Sequence, residues 1–266
     1  MKYAMFGGEP RDEGGRVGQE EMQQRIRCHQ KALNDLLRVR VISGRKGLIF
    51  ASIGLGPFHG GPKTALTVGN RGGRRFRTDG PFPETKEIVG GFDIIDFDSR
   101  EEAIEFAKIK NVHDSHVAEV RPLREFWWIS HTPSLSPGNI FMLSLVEPDR
   151  GARSLPPQEL KKAIRQHQAV GAEYVNSRAM LDGKGGVWIG MRLAPSTEAT
   201  TVRRSEGTPR LVDGPFAETR EVVGGINLVA CDSLEEAAGW AEKLTANDGE
   251  TIEIRPVDGF WWVYHE

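Results

Sequence analysis

Asp79-Gly80-Pro81-Phe82-Pro83-Glu84-Thr85-Lys86-Glu87 returns later in the chain as Asp213-Gly214-Pro215-Phe216-Ala217-Glu218-Thr219-Arg220-Glu221. The two stretches lie 134 positions apart, and the same offset joins Gly90-Gly91 to Gly224-Gly225. It also joins the aromatic triplet Phe126-Trp127-Trp128 to Phe260-Trp261-Trp262. Agreement at one offset over this length indicates an internal duplication, which constrains the fold more strongly than any single element does.

The two copies keep a slightly different offset upstream of this stretch. Arg27-Cys28-His29-Gln30 corresponds to Arg165-Gln166-His167-Gln168 at an offset of 138, so the first copy has four additional residues near Phe58-His59-Gly60-Gly61. The copies are predicted to occupy residues 1–130 and 138–266. Residues 131–137 are predicted to be the linker, because the chain is rich in proline and serine there.

Each copy shows the same order of strand and helix patterns, βαββαβ, which is the ferredoxin-like plan. A hairpin ends at the Asp-Gly-Pro-Phe turn, and Arg-Pro is expected to end the fourth strand. Helices cover one face of such a sheet, so the other face needs a partner, which two copies in one chain supply to each other. The predicted strands are 2–7, 48–55, 92–97 and 117–120, then 139–146, 187–193, 226–231 and 251–254. The first helix is predicted from about Gln19 to Leu37 and from about Pro156 to Tyr174, and the second follows the N-capping pairs Asp98-Ser99 and Asp232-Ser233.

The composition excludes several classes of function. Of 266 residues 38% are hydrophobic, the formal net charge is −2 and the pI is about 6.4, without the basic face of a nucleic-acid-binding protein. Cys28 and Cys231 occupy unrelated positions in the two copies, which predicts neither a repeated metal site nor a disulfide framework. No stretch approaches the roughly 20 apolar residues of a membrane helix. We therefore expect a reduced, soluble, cytoplasmic protein that binds neither nucleic acid nor membrane.

The repeated motif resembles the signature of the YCII-related family, in its DGPF branch. The likeness rests on Asp-Gly-Pro-Phe-x-Glu-Thr-Lys/Arg-Glu, followed by Gly-Gly, Asp-Ser and a closing Arg-Pro, and it covers both copies. It implies a dimeric α+β barrel, here an intramolecular pseudo-dimer that exists as a monomer or a homodimer. The family's activity is largely unassigned. The resemblance implies enzymatic roles based on a His and an Asp, and for some DGPF-type proteins an association with alternative sigma factors.

His29 and His167 are the candidate acid–base residues. His29 lies in an apolar stripe at helical spacing with Ile26, Leu33 and Leu37, and His167 occupies the equivalent stripe of the second copy. Each imidazole is therefore expected to point toward the helix-covered face of the sheet, which is not the barrel interior. An imidazole has an unperturbed pKa of about 6.5 and serves as acid or base near neutrality. The alternative is a partly buried histidine satisfied by one backbone or carboxylate partner.

Two further pairs of repeated residues are candidates for a site. Asp79 and Asp213 are candidate catalytic carboxylates that orient a histidine or take a proton. Alternatively, they accept backbone N–H groups within the turn, where the following glycine adopts a positive φ. Arg121 and Arg255 are candidates to bind a carboxylate or phosphate group of a ligand, or to pair with an acid of the motif.

Two repeated stretches of the chain are expected to pack between the copies. The Phe-Trp-Trp triplets supply aromatic rings to opposite faces of a strand, so one ring can meet the other copy. The Gly-Gly pairs allow a close approach of neighbouring backbone, and close packing between the copies is the simpler cause.

Two functions remain open. One is a small-molecule enzyme that uses His/Asp acid–base chemistry without a cofactor or a metal, since the chain has no dinucleotide, P-loop, zinc or nucleophile-elbow motif. The other is a noncatalytic module that binds a small ligand or docks on a regulatory protein. A His and an Asp within hydrogen-bond reach of each other beside an open pocket would favour the enzyme, whereas a filled barrel with both histidines sealed would favour the module.

Overall fold

The computed structural model shows the predicted βαββαβ order in both copies, each with an added hairpin. It describes residues 1–10, 24, 27–36, 48–55, 64–80, 87–110, 117–130, 140–149, 156–182, 186–216, 221–245, 249–257 and 259–265. The predicted linker, 131–137, lies outside these ranges. The helices are α1 (described over 27–36), α2 (Arg100–Lys110), α3 (Pro157–Asp182) and α4 (Leu234–Leu244). The strands of the first copy are β1 (Lys2–Pro10), β2 (Leu48–Gly54), β3 (Leu66–Arg71), β4 (Arg74–Asp79), β5 (Glu87–Asp96) and β6 (Val117–Ser130). Those of the second copy are β7 (Ile140–Pro148), β8 (Val187–Leu193), β9 (Thr200–Ser205), β10 (Thr208–Asp213), β11 (Glu221–Ala230), β12 (Thr251–Pro256) and β13 (Gly259–His265).

The second helix of each copy begins at a serine cap, as the sequence predicts. Ser99 Oγ accepts the backbone N–H of Glu102 at 3.1 Å, and Ser233 Oγ accepts that of Glu236 at 3.1 Å. The two glutamate side chains reach back to the backbone N–H groups of residues 98 and 232, so each cap satisfies two donors that a helix start leaves unpaired.

Helix α3 extends eight residues beyond its predicted end at Tyr174. Its last turns are held to the sheet by Arg178, which donates to both carboxylate oxygens of Asp232 at 2.9 and 3.0 Å. This contact depends on the tertiary arrangement, so helix periodicity did not reveal it.

Each copy builds a four-stranded antiparallel sheet in the ferredoxin-like order. In the first copy β1 lies between β5 and β6, and β2 pairs with β5. In the second copy β7 lies between β11 and β12, and β8 pairs with β11. The two βαββαβ units are thus equivalent in topology, as predicted.

Each sheet is extended by strands from the other copy. Strand β13 pairs with β2, and the hairpin β9–β10 pairs with the first half of β6. Reciprocally, the second half of β6 pairs with β8, and the hairpin β3–β4 pairs with β12. Because strands of each copy extend the sheet of the other copy at both edges, the two copies close an intramolecular α+β barrel.

The Arg-Pro pair does not end the fourth strand of the first copy, contrary to expectation. Strand β6 continues through Arg121-Pro122 to Ser130. Pro122 lies where β6 leaves β1 for β8, and its carbonyl accepts the N–H of Ala194 at 2.8 Å. A proline, which lacks an N–H, is tolerated where a strand changes partners, because no ladder bond is lost there.

The Gly-Gly pairs are β-bulges within each copy rather than contacts between copies. The register of β1 and β5 shifts so that Gly90 is the extra residue, and that of β7 and β11 shifts at Gly224. At the next glycine a Cβ would press on backbone of the adjacent strand of the same copy: Gly91 on the Ile53 carbonyl, and Gly225 on the Met191 carbonyl. The expected close approach is real, but its partner is a neighbouring strand.

The apolar core has three parts. The face between the two sheets is filled by buried side chains from both copies, and one cluster lies under the helices of each copy. The barrel interior contains Ala4, Phe6, Ile53, Leu55, Phe92, Ile94, Met142, Ile189, Met191, Leu193, Ile226 and Leu228. No helix within the described ranges is long and apolar enough to cross a lipid bilayer.

The first Phe-Trp-Trp triplet packs on the second copy, as expected. Trp127 lies opposite Gly190 on β8 and joins the core beneath the helices of that copy. Phe126 and Trp128, on the opposite face of the strand, pack against the barrel interior. The side chains of the second triplet lie outside the described part of the chain, although their backbone pairs with β2.

Candidate functional site

His29 is held by two polar side chains on the helix-covered face of the first sheet. Its Nε2 lies 2.9 Å from Ser52 Oγ and 3.1 Å from Asp93 Oδ1. Ser52 and Asp93 are directly opposite each other on β2 and β5, and α1 places the imidazole over them. Lys110, the last residue of α2, donates to the other Asp93 oxygen. We call these four residues the His29 cluster.

The electrostatics of the cluster centre on Asp93, whose side chain is 1% exposed. Burial alone would raise the pKa of the Asp93 carboxyl, but the charges and hydrogen bonds of Lys110 and His29 outweigh burial. The net effect holds the pKa of Asp93 well below its usual range. An ionised carboxylate is therefore present beneath the imidazole at neutral pH.

This arrangement fixes the protonation pattern of the ring. An ionised carboxylate accepts hydrogen bonds and donates none, so Nε2 carries the proton that points at Asp93. In the neutral imidazole the other nitrogen, Nδ1, then holds the lone pair and is the basic atom. The His29 side chain is 23% exposed, so part of it is accessible to solvent.

His167 lies on the equivalent face of the second copy in a different environment. Its exposed fraction is 8%, and burial lowers its pKa to about 4. The imidazole is therefore neutral near pH 7. Both histidines thus lie on the helix face, as the stripe predicts, but only His29 has a charged partner among the described contacts.

The structure brings Asp93, rather than Asp79, to the imidazole of His29. Asp79 and Asp213 are exposed at the ends of β4 and β10. Gly80 and Gly214, which follow them, have φ of +92° and +99°, the left-handed conformation that the turn was expected to require. The catalytic role of Asp79 and Asp213 stays a prediction. Asp93 was not singled out from the sequence, although a carboxylate between apolar strand residues is itself a signal.

The second signature turn reaches across to the first copy. The backbone N–H of Phe216 donates to Glu119 Oε2 at 3.0 Å. Its ring covers Gly8, where a Cβ would lie 3.0 Å from the ring edge. The Phe216 carbonyl accepts from Arg203 at 2.6 Å. This turn therefore joins the copies at one end of the barrel.

Arg121 and Arg255 point into the barrel and bind backbone of the opposite copy. Arg121 Nη1 donates to the Val223 carbonyl at 2.7 Å, and Arg255 Nη1 donates to the Val89 carbonyl. Val89 and Val223 are equivalent positions beside the two β-bulges, so the contacts are related by the duplication. The side chains of the two arginines are 4% and 2% exposed. Binding of a ligand anion by either arginine stays a prediction.

Arg121 also completes a buried polar chain. It forms an ion pair with Glu119, whose side chain is 2% exposed, and its guanidinium carbon lies 6.0 Å from the centre of the Phe6 ring. Glu119 in turn accepts the Phe216 N–H described above. A carboxylate and a guanidinium of one copy are thereby fixed between two backbone groups of the other.

Within the described ranges, no group of three or more His, Cys, Asp or Glu side chains is placed to hold a metal ion. Two buried polar groups contain residues that the sequence singles out: the His29 cluster on a helix-covered face, and the arginine contacts inside the barrel.

Fold and sites together define a two-copy, ferredoxin-like α+β barrel protein. The family model of the YCII-related domain matches residues 3–127 and again residues 152–260, which together are most of the chain. The chain belongs to the YCII-related family.

The known proteins that are similar to this chain give little information about activity. An uncharacterised protein of Rhizobium meliloti (strain 1021) is 38% identical over 102 residues, covering 38% of this chain and 77% of its own length. A putative chlorite dismutase structure covers 97% of this chain and 94% of its own, at 10% identity and a TM-score of 0.37. A mutant chlorite dismutase from Candidatus Nitrospira defluvii, in complex with cyanide, covers 97% and 91% at 9% identity and a TM-score of 0.40. At these TM-scores neither structure bears on function, and the architecture rests on the strand pairing described above.

Proposed function

We propose that this protein is a cofactor-independent enzyme that moves a proton on a small molecule, with His29 as the general base. The observation that carries the proposal is the hydrogen bond between His29 Nε2 and the buried carboxylate of Asp93. A histidine oriented by an ionised carboxylate is an arrangement suited to proton transfer.

Each member of the His29 cluster has a defined task in this reaction. Asp93 orients the ring and stabilises the imidazolium that forms when Nδ1 takes a proton from the substrate. Lys110 keeps Asp93 ionised despite burial, and Ser52 provides a second contact to Nε2 that restricts ring rotation. His29 is thus the catalytic residue, and the other three are positioning residues.

The test uses a proton-abstraction probe, 5-nitrobenzisoxazole, rather than an assumed substrate. A base removes the proton on its ring carbon, the C–H electron pair forms a nitrile as the N–O bond breaks, and the ring opens to a single coloured cyanophenolate that carries the negative charge. We expect the full chain to accelerate this reaction and His29→Gln to lose about 10²-fold in kcat/KM, as is typical when a general base is removed. Asp93→Asn should lower kcat while leaving KM nearly unchanged, because it misorients the base without touching the probe.

The matched control is Lys31→Gln, which alters an exposed residue on the same helix and should leave the rate unchanged. Circular dichroism on every variant separates loss of rate from loss of fold. If His29→Gln stays folded and as active as the parent chain, the acid–base role is excluded, and a noncatalytic ligand-binding module becomes the better account.

A further inference from the structure

The two copies can be compared position by position at this site, because they share one strand register. Ser52 faces Asp93 across β2 and β5, and Gly190 faces Asn227 across β8 and β11. The second copy therefore has no hydroxyl at the first position and an uncharged amide at the second. The carboxylate that orients His29 has no equivalent there.

In the second copy, the Asn227 amide and the residue equivalent to Lys110 both take part in packing. Asn227 Oδ1 accepts the indole N–H of Trp188 at 3.0 Å, and both side chains are buried. Lys110 at the end of α2 corresponds to Leu244 at the end of α4, which is fully buried in the core under the helices. No charge is retained at these two positions.

The glycine position is covered by an aromatic ring. The Trp127 indole lies over Gly190 so closely that a Cβ there would collide with it. A serine Cβ at this position would collide with the indole where it lies. The residue equivalent to Trp127 in the second triplet, Trp261, is paired with Ser52 on β2. His167, on the same face, is correspondingly more buried than His29.

We infer that the second copy has lost the acid–base site and uses its place for packing, so that the chain carries one working site, in the first copy. The inference rests on the proposed function for the His29 cluster. It assigns His167 a structural role, although His167 is the one member of the cluster that both copies retain.

The experiment compares the reactivity of the two histidines in one sample. The full chain is treated with diethyl pyrocarbonate at pH 7, and modification of each histidine is followed by peptide mass spectrometry. We expect His29 to react at least about tenfold faster than His167, since a buried ring reacts only after a local opening and each 1.4 kcal/mol of opening free energy costs tenfold. In urea the two rates should become equal. Rates that differ by less than about tenfold in the folded protein overturn the inference.

The probe reaction separates failure of this inference from failure of the proposed function. With 5-nitrobenzisoxazole, His167→Gln should keep the parent rate and His29→Gln should lose it. If both variants lose the rate, the second copy is a working site and the inference is wrong, while the acid–base function stands. If neither variant loses the rate, the proposed function is wrong. The ratio of the diethyl pyrocarbonate reaction rates of His29 and His167 then reports only how accessible the two side chains are.

Discussion

Replacing Arg121 by methionine should destabilise the protein strongly, because it leaves the Glu119 carboxylate buried without its cation. Methionine keeps an aliphatic chain beside Phe6, so the main loss is the guanidinium and not the packing. Removing one partner of a buried ion pair costs about 3–5 kcal/mol. The Val223 carbonyl loses its donor in the same change, which makes the upper part of this range the expected value.

The assay is urea unfolding followed by circular dichroism, with a thermal melt as a second measure. A loss of about 3–5 kcal/mol corresponds to a fall in Tm of about 6–20 °C for a chain of this size. Arg124→Met is the matched control, because Arg124 and its partner Glu198 are 43% and 39% exposed. An exposed pair of this kind contributes about 0–1 kcal/mol.

A double variant decides whether the buried charge is the cause. Glu119→Gln removes the charge but keeps an acceptor for the Phe216 N–H, so the double variant with Arg121→Met should recover most of the lost stability. Replacing a whole buried pair by uncharged groups is often close to neutral. If the double variant is as unstable as Arg121→Met alone, or if the single variant loses less than about 1 kcal/mol, the reasoning about the buried pair is refuted.

Three further predictions concern other parts of the barrel. The pKa of His167 is lowered to about 4 in the folded chain, and the unfolded value is about 6.5; between these pH values only the unfolded chain takes up the proton. Stability should therefore fall as the pH is lowered from about 6.5 to about 4, and His167→Gln should flatten this part of the curve of unfolding free energy against pH. Phe216→Ala should cost about 1–3 kcal/mol, since its half-buried ring covers Gly8, whereas Leu211→Ala on the exposed face of β10 should stay within about 0.5 kcal/mol in urea titrations. Ser233→Ala should cost about 1 kcal/mol in the same titrations through loss of the α4 cap, and Ser233→Asp, which keeps an acceptor, should restore it.

The sequence predicted those features that depend on local chemistry or on the repeat. Capping serines, turn glycines and the apolar helix stripe each arise from contacts a few residues apart, so the caps and the helix-face position of His29 could be inferred. The strand order could be predicted because both copies show the same pattern of strands and helices, so an assignment in one copy had to fit the other. Extension of α3 and of β6 could not be inferred, since both depend on partners distant in sequence.

The partner of His29 was missed for a related reason. Asp79 stands out because its motif is repeated, whereas Asp93 has Asn227 at the equivalent position and so carries no repeat signal. A search for residues common to both copies is blind to a site that only one copy keeps. The inward direction of Arg121 and Arg255 could not be inferred either, because the sequence pattern predicts that Arg-Pro ends a strand, whereas in the first copy the strand continues.

The strand exchange gives a physical reason why some stretches are retained in both copies, whereas the Gly-Gly bulges and the serine caps, also retained, act within one copy. The stretches that both copies retain include the Asp-Gly-Pro-Phe turn, the arginine of Arg-Pro and the Phe-Trp-Trp strand. In the structure, Phe216 of the second turn, Arg121 and Arg255, and the backbone of both triplets contact the other copy. Closing the barrel requires a contact of this kind at both edges, so neither copy can lose its own without opening an edge of the sheet. The His29 cluster lies within a single copy, whereas the equivalent Gly190 of the second copy packs against Trp127 of the first copy. The copies therefore differ at Asp93 and Asn227, and at Lys110 and Leu244, which are positions that form no strand pairing between the copies.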